Sequence, residues 1–436
     1  MTPSEGILPS SYSWKQGELS CEGVSLTALA SSYGTPLYVY SERAIRESFQ
    51  AFAHAAVGEA VQICFAVKAN PNLAILQRLA QLGAGFDIVS GGELERVLRA
   101  GADPKQIVFS GVGKTREELS RAMRTGVGCI NVESVSELRR LSSLAVEQGC
   151  RQRISLRVNP DINPQTHPYI STGLKENKFG LDISQAREFY RLAASLDALD
   201  IHGVDCHIGS QITTLEPFEE ALERLLVLVD QLEADGHSIH HLDLGGGLGI
   251  CYHDERPPSP QMLLQSLISR VRAWALAQGR PMPSLTFEFG RAIVGSAGVL
   301  LSRVETLKPG VDGSRGFAVV DAAMNDLMRP ALYEAWHEVI PVRPRTNISP
   351  EMWDIVGPVC ESGDWLARGR SLALCEDDLL VLASAGAYGS SMASQYNSRP
   401  RLAEVMVRED GRVALIRSRE QFEDLIRCER LLDSDE

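Results

Sequence analysis

The sequence lacks the features by which a chain recognises membranes or nucleic acids. Its 436 residues contain no run of about 18 or more apolar residues, the length that a membrane-spanning helix needs. Positive charge is scarce, since 43 lysines and arginines face 56 aspartates and glutamates, for a formal net charge of −13. Nucleic acids and anionic membranes are bound through basic patches, so we expect neither as a partner.

Cysteine is present but forms no pattern. The nine cysteines are scattered and include no C-x-x-C pair, which argues against a disulfide framework and against a zinc site. The N-terminal MTPSEGILPSS also lacks a basic segment followed by an apolar signal segment. We therefore expect reduced thiols, no bound metal and a cytoplasmic location.

Repeated βα units are what the sequence does contain. Short β-rich apolar runs alternate from residue 61 to 289 with longer segments of helical period. Eight such runs favour a (β/α)₈ TIM barrel over an open sheet. The predicted strands are VQICFAV (61–67), FDIV (86–89), IVF (107–109), VGCINV (127–132), RISLRV (153–158), IHGVDC (201–206), HHLDL (240–244) and LTFEF (285–289).

A second, mostly β domain follows the barrel. Beyond about residue 292, strand-like runs occur with few long helical segments between them, as is typical of a largely antiparallel β domain. The run TPLYVYS (35–41) reads as a strand that pairs with this domain. We therefore predict an α/β protein with the barrel at 42–291 and a discontinuous β-rich domain, sandwich-like or barrel-like, at 1–41 plus 292–436.

Several polar residues fall where barrel strands end. Active sites of such barrels lie at the C-terminal strand ends. Lys68 follows the first strand, His207 ends the sixth, Gly245–Gly247 end the seventh and Glu288 lies near the end of the eighth. Taken singly, Lys68 can be a strand-end residue that faces solvent, and His207 a satisfied core histidine. Their convergence on one barrel mouth favours a functional role.

The glycine run in GGGLGI does not match the dinucleotide-binding pattern G-x-G-x-x-G, because Ile250 stands at the third glycine position. It can be a tight strand-to-helix turn, or a cradle of backbone N–H groups for a phosphate. A phosphate cradle, a lysine, a histidine and a carboxylate together suit pyridoxal 5′-phosphate (PLP), which needs an amine for its aldehyde and an acid for its ring nitrogen. Glu288 can be that acid, or can instead pair with Arg291.

At this point the chain resembles the PLP-dependent diaminopimelate decarboxylases of the alanine-racemase-like, fold type III group. The resemblance runs nearly from end to end. The motifs that carry it include YGTPLYVYS, CFAVKANPN, FDIVSGGEL, THPYISTGLKENKFG, HIGSQI, DLGGGLGI, EFGRAIV, DAAMNDLMRPALY, GPVCESGDWLA and GAYGSSMASQYNSRPR.

The resemblance implies a role for each matching residue. Lys68, His207 and Cys360 would be catalytic, with Lys68 holding PLP, His207 stacked on its ring and Cys360 donating a proton. The implied cofactor-binding residues are Lys68, Asp87, His207, Ser210, Gly245, Gly246, Gly247, Glu288, Gly290, Arg291 and Tyr388. The implied substrate-binding residues are Arg291, Arg329, Tyr333, Glu361 and Tyr388.

The resemblance also implies the reaction and the assembly. The substrate would be meso-2,6-diaminoheptanedioate, decarboxylated to L-lysine and CO2 in the last step of lysine biosynthesis. The protein would be a homodimer with active sites shared between subunits, Cys360 and Glu361 coming from the partner subunit. Phe289 departs from the proline usual in the family. The segment 167–178 can be a mobile lid or an ordinary surface loop.

Other interpretations remain open at this stage. The substrate can be another amino acid, such as D-ornithine, D-lysine, arginine or a carrier-bound glutamate, or the chain can bind PLP without catalysis. Arg329 can equally start a helix at the surface. Cys360 can equally be a buried, inert thiol.

Overall fold

A computed structural model describes residues 7–163, 167, 172, 178–312 and 314–432. The predicted lid therefore lies almost wholly outside the described residues. The chain forms two compact units, each treated by itself below. Unit 1 comprises the described parts of Met1–Ile45, Cys251–Asp254 and Val294–Glu436, and unit 2 those of Arg46–Ile250 and Glu255–Ile293.

The N-terminal part of unit 1 is a small antiparallel sheet followed by a helix and a buried strand. Its elements are β1 (Tyr12–Lys15), β2 (Glu18–Cys21), β3 (Val24–Ser25), α1 (Leu26–Tyr33) and β4 (Leu37–Ser41). All five residues of β4 are buried, as expected of a strand in a sheet that is covered on both faces.

Unit 2 is a closed barrel of eight parallel strands, which confirms the predicted fold class. Each strand pairs with the next, and the eighth closes on the first. The barrel strands are β5 (Val61–Ala66), β6 (Gly85–Ile88), β7 (Ile107–Phe109), β8 (Cys129–Val132), β9 (Gln152–Asn159), β11 (Leu199–Asp205), β12 (His241–Asp243) and β13 (Ser284–Phe289), and a short β10 (Leu181–Asp182) pairs with β9.

Helices connect the barrel strands, and polar caps start the first of them. Asn72, Ser90, Thr115 and Ser134 each accept a hydrogen bond from a backbone N–H in the first turn of the helix that follows. The helices are α2 (Glu42–Ala55), α3 (Leu73–Gln81), α4 (Gly91–Arg99), α5 (Arg116–Thr125), α6 (Val135–Gln148), α7 (Ala186–Ala194), α8 (Glu216–Ala234), α9 (Pro260–Ala277) and α10 (Arg291–Val294).

Strand alternation in β13 explains how Phe289 is accommodated. Successive side chains of a strand point to opposite faces. The Phe289 ring stacks on Phe52 of α2 with centroids 4.0 Å apart and lies 5.7 Å from Phe287. Glu288, between the two phenylalanines, consequently lies on the other face of the strand, among the acidic side chains described below. The aromatic residue fills the helix-side core and leaves the glutamate in register.

The remainder of unit 1 is mostly β, as predicted. The long strand β14 pairs with β4, β15 and β19, and β4 also pairs with β20, which confirms that the N-terminal strand joins this sheet. The elements are β14 (Gly298–Lys308), β15 (Gly316–Val320), α11 (Arg329–Tyr333), β16 (Val339–Pro341), β17 (Glu351–Val356), β18 (Trp365–Leu372), β19 (Leu379–Leu382), β20 (Ala403–Val407), β21 (Val413–Arg417) and α12 (Phe422–Ile426). Among the described residues, no helix is long and apolar enough to span a membrane.

Candidate active site

Lys68 is held by a buried carboxylate at the end of the first barrel strand. It lies in a short 3₁₀ turn, Val67–Ala69, directly after β5. Its Nζ is 2.6 Å from Oδ2 of Asp87, which is completely buried at the end of the neighbouring strand β6. The lysine side chain keeps 36% of its exposure. The amine is therefore ion-paired but still accessible, and accessibility is what a reaction with an aldehyde requires.

Three more carboxyl groups lie inside the barrel near its C-terminal end. Asp205 and Asp243 end β11 and β12, Glu288 is the last but one residue of β13, and one carboxylate oxygen of each lies within 4.8 Å of the others. Burial raises the pKa of Glu288 well above its usual range, and the neighbouring Asp243 raises it further. Burial also raises the pKa of Asp243 to about 7. The cluster therefore retains protons at neutral pH.

Two uncharged side chains connect the acidic cluster to the other barrel strands. Ser110 Oγ lies 3.5 Å from Oε1 of Glu288. Asn131 donates from Nδ2 to Ser110 Oγ at 3.1 Å and to Asp243 Oδ2 at 3.4 Å. These contacts fix the orientation of the carboxyl groups without neutralising them.

His207 lies against the glycine turn as an uncharged imidazole. Burial, with the nearby positive charges of Lys68 and Arg157, lowers the pKa of His207 well below its usual value. The Gly246 N–H donates to Nδ1 of His207 at 3.2 Å. The acceptor role of Nδ1 is consistent with the neutral form, whose other nitrogen carries the proton.

The glycine turn has no room for side chains. Gly245 and Gly247 have φ values of +63° and +110°, which L residues rarely adopt. A Cβ on Gly246 would lie 1.9 Å from the carbonyl oxygen of Glu288. The turn is therefore packed directly on the backbone that carries the buried glutamate. The sequence could only suggest a tight turn or a cradle, and this geometry permits both.

Ser210 and Arg291 are also brought together. Arg291, buried at the start of α10, donates from Nη2 to Ser210 Oγ at 3.0 Å and from Nε at 3.3 Å. The preceding Gly290 is packed so closely that a Cβ there would lie 2.9 Å from that of Ala69, next to Lys68. Ser210, Gly290 and Arg291, three of the predicted cofactor positions, thus lie together near the turn that carries Lys68.

Unit 1 contains the predicted substrate residues Arg329, Tyr333 and Tyr388. Arg329 is 4% exposed, so the alternative that it is a surface residue is excluded. Its guanidinium carbon lies 4.4 Å from the ring centroid of Tyr252, a cation–π contact. Tyr333 ends α11 and is half-buried. Tyr388 has φ +55°, a conformation that is uncommon in non-glycine residues and that clusters at functional sites.

Cys360 and Glu361 lie on an exposed loop of unit 1, which excludes the buried thiol. Asp364 holds this loop by accepting hydrogen bonds from the N–H groups of Val359 and Met324, each at 2.7 Å. The Tyr396 hydroxyl donates to the Glu361 carboxylate. Both predicted residues are thus presented at the surface of the described chain.

The chain is similar to known proteins over nearly its whole length. Residues 42–295 match the pyridoxal binding domain of the pyridoxal-dependent decarboxylases. The chain is 56% identical to the diaminopimelate decarboxylase of Pseudomonas aeruginosa over 97% of its own length and 99% of that protein. The chain belongs to the diaminopimelate decarboxylase family.

Solved structures of family members have the same fold. The diaminopimelate decarboxylase of M. jannaschii superimposes with a TM-score of 0.91 at 38% identity, covering 97% of this chain and 98% of that one. The Helicobacter pylori enzyme, solved in complex with L-lysine, gives a TM-score of 0.86 at 40% identity, covering 92% and 98%.

The residues of this family member fit PLP, the cofactor of the family. A lysine amine at a barrel mouth, a buried acid on β13 and a turn without room for a Cβ are the groups that an aldehyde, a ring nitrogen and a phosphate need. Asp87 adds a buried oxygen, Oδ1, that accepts no hydrogen bond from the described residues. Lys68, Glu288, and the Gly245–Gly247 turn with Ser210 would hold these three parts of the cofactor.

Sequence reasoning missed most of the polar interior of the barrel. Asn131, Asp205 and Asp243 were read only as parts of strands. Arg157 of β9 was missed too, although it is buried and pairs with Glu133 at 2.9 Å. The available signal was a single polar residue near the end of an otherwise apolar strand, which in a barrel points either to the interior or to the helices.

Proposed function

We propose that this protein decarboxylates meso-2,6-diaminoheptanedioate to L-lysine and CO2, with PLP bound to Lys68. One observation carries the proposal. The Lys68 amine lies 2.6 Å from the buried Asp87 carboxylate, at the same end of the barrel as the buried Glu288. This arrangement occurs in a chain that belongs to the diaminopimelate decarboxylase family.

The cofactor, when bound, accepts the electron pair that the departing carboxyl group leaves behind. The chain's own residues prepare this step. Asp87 orients the Lys68 amine and supports its positive charge. Glu288 supplies the acid for the ring nitrogen, inside a cluster that retains protons at neutral pH. His207 is an uncharged imidazole, and it would contact the cofactor ring without adding charge.

Arginine and tyrosine side chains would recognise the distal end of the substrate. The planar guanidinium of Arg329 suits the distal carboxylate, because it forms two parallel charge-assisted hydrogen bonds. Tyr333 and Tyr388 supply further hydroxyl groups, and Arg291 a further positive charge. A diamino acid without a second carboxylate would not need this arginine, so the presence of Arg329 favours meso-2,6-diaminoheptanedioate as the substrate.

The same proposal includes a homodimer. Cys360 of the partner subunit would protonate the carbon that loses its carboxyl group, and Glu361 of the partner subunit would bind the distal ammonium. The exposure of this loop supports the assignment. We also propose a cytoplasmic location, which is supported by nine cysteines that form no disulfide among the described residues.

The decisive experiment is an assay of the purified holoprotein on a panel of amino acids. We expect CO2 and L-lysine from meso-diaminopimelate and little turnover of D-lysine, D-ornithine or arginine. Borohydride reduction followed by peptide mapping should label Lys68. Equal rates on D-lysine, or a label on another residue, would contradict the proposal.

Mixed dimers test the shared site. Lys68→Ala and Cys360→Ala homodimers should each be nearly inactive. If each site takes Lys68 from one subunit and Cys360 from the other, a mixed dimer keeps one intact site of two. Half of randomly mixed dimers are of this kind, so activity should return to about one quarter of wild type. If a verified mixed dimer recovers no activity, the active sites are not shared between subunits.

A further inference from the structure

Two uncharged aromatic residues of unit 1, Tyr252 and His337, contact the guanidinium of Arg329. Its Nη1 lies 2.9 Å from Nε2 of His337, and its guanidinium lies over the ring of Tyr252. The Tyr252 and His337 rings meet edge to face, with centroids 5.3 Å apart. All three side chains are buried. Tyr252 comes from Cys251–Asp254, the short segment that packs with unit 1 although its sequence neighbours belong to unit 2.

The contacts of His337 define its protonation state. A guanidinium has only donors, so Nε2 of His337 must accept the hydrogen bond from Arg329. Nδ1 then carries the proton, and it donates to the carbonyl oxygen of Ala383 at 2.8 Å. One neutral tautomer satisfies both partners. An imidazolium would lose the acceptor and would bring a second positive charge to the guanidinium.

We propose that His337 is a positioning residue, which orients the guanidinium of Arg329 for the distal carboxylate of the substrate and itself adds no negative charge beside it. This inference rests on the proposed function, in which Arg329 binds that carboxylate. A carboxylate in place of His337 would orient the guanidinium equally well, but it would compete for the same positive charge and the same donors. A neutral imidazole and an aromatic face orient the group without that competition.

Two substitutions separate the two hydrogen bonds of His337. In His337→Asn the shorter amide reaches the Nδ1 position, so it can still donate to Ala383 but cannot accept from Arg329. In His337→Gln the longer amide places its oxygen near the Nε2 position, so it can accept from Arg329. His241→Asn is the matched control. His241 is also a buried histidine, but it lies where β12 begins, at the end of the barrel opposite to Lys68.

Two ligands distinguish a loss of carboxylate binding from a general loss of structure in the variant. L-Lysine retains the carboxylate that decarboxylation leaves in place, and cadaverine is the same diamine without it. Titration calorimetry on each holoprotein should show that His337→Asn lowers the affinity for L-lysine about tenfold, which is the effect of one lost hydrogen bond to a charged group. The affinity for cadaverine should change less than about twofold. His337→Gln and the control should stay within about threefold for both ligands.

The kinetic counterpart is a separation of KM from kcat. His337→Asn should raise KM for meso-diaminopimelate about tenfold and leave kcat within about threefold, because binding of the distal end is lost in ground and transition states alike. The inference would be overturned if His337→Asn left the affinity for L-lysine unchanged, or if it weakened the binding of L-lysine and of cadaverine equally. Equal effects of the His337→Asn and His337→Gln substitutions would also overturn it.

The tautomer can also be measured directly in the wild-type protein. Ring ¹⁵N shifts of His337 in the labelled wild-type holoprotein, assigned by their absence from the His337→Gln spectrum, should report a neutral ring protonated at Nδ1. A ring protonated at Nε2, or an imidazolium, overturns the inference. If the wild type releases no CO2 from meso-diaminopimelate, the proposed function fails. If it does so and His337→Asn behaves as wild type, only the role of His337 fails.

Discussion

Replacing Gly246 with alanine should separate the glycine turn from the strand that carries Glu288. The added Cβ would lie 1.9 Å from the carbonyl oxygen of Glu288 and 2.8 Å from its carbonyl carbon. Backbone atoms cannot yield as a flexible side chain does, so the two segments must move apart by about 1 Å. The φ of Gly246 is not in the left-handed region, so the effect comes from space alone.

The size of the effect follows from the packing. Overfilling a well-packed site costs about 1–3 kcal/mol. If that cost falls on the state that binds the cofactor, PLP affinity drops about 5-fold to 150-fold. A displacement of about 1 Å at a reacting centre also costs about 100-fold in rate. We therefore expect PLP binding about 5-fold to 150-fold weaker and a fall of about 100-fold in kcat/KM.

Gly113→Ala is the control for this substitution. No atom lies within 4 Å of a Cβ built on Gly113, and its φ is outside the left-handed region. PLP affinity is measured by titrating each apoprotein and following the absorbance of the bound cofactor. The control should bind as wild type does. If Gly246→Ala also binds PLP as tightly as wild type, the inference that the turn is pressed against the Glu288 backbone at the cofactor site is wrong.

Three further predictions test other parts of the barrel. Lys68→Ala should lose the absorbance of covalently bound cofactor, and its retention would place the covalent bond elsewhere. Since the raised pKa of Asp243 lets the folded state keep a proton that the unfolded state loses, its contribution to the unfolding free energy should fall between about pH 4 and pH 7. In urea unfolding of the apoprotein, Asp243→Asn should flatten this decline, and an unchanged slope would contradict the raised pKa. Phe289→Ala should lower the unfolding free energy by about 3–5 kcal/mol, whereas Phe317→Ala, at a site 48% exposed, should lower it by under about 1 kcal/mol; equal losses would contradict the packing on Phe52.

The barrel could be predicted from the sequence because its signals are local. Each strand is a short apolar run between turn residues, and each helix has its own period and cap. Lys68, Gly245–Gly247 and Glu288 could be assigned to one end because all strands of such a barrel run in the same direction. These inferences need only the order and polarity of the elements, both of which a single sequence contains.

Contacts between residues distant in sequence could not be predicted in this way. Nothing in the sequence near Tyr252 indicates that it packs with Arg329 and His337. About eighty residues separate Tyr252 from these partners, and part of that intervening chain belongs to unit 2. Likewise, a lone arginine or aspartate in a strand does not reveal whether it points to the barrel interior. Only closure of the barrel decides which polar residues share a layer, and so which of them are buried as pairs.

The distribution of charge inside the barrel gives Glu288 a setting suited to a cationic ring nitrogen. Lys68 pairs with Asp87, and Arg157 with Glu133 at 2.9 Å and Asp205 at 3.8 Å. Asp243 and Glu288 add two more acids to this layer, so its acidic groups outnumber these two cations. In a medium of low polarity the excess is accommodated by retained protons, as their raised pKa values indicate. A protonated ring nitrogen beside Glu288 would supply the missing positive charge, so the buried acids themselves favour the form of the cofactor that withdraws electrons.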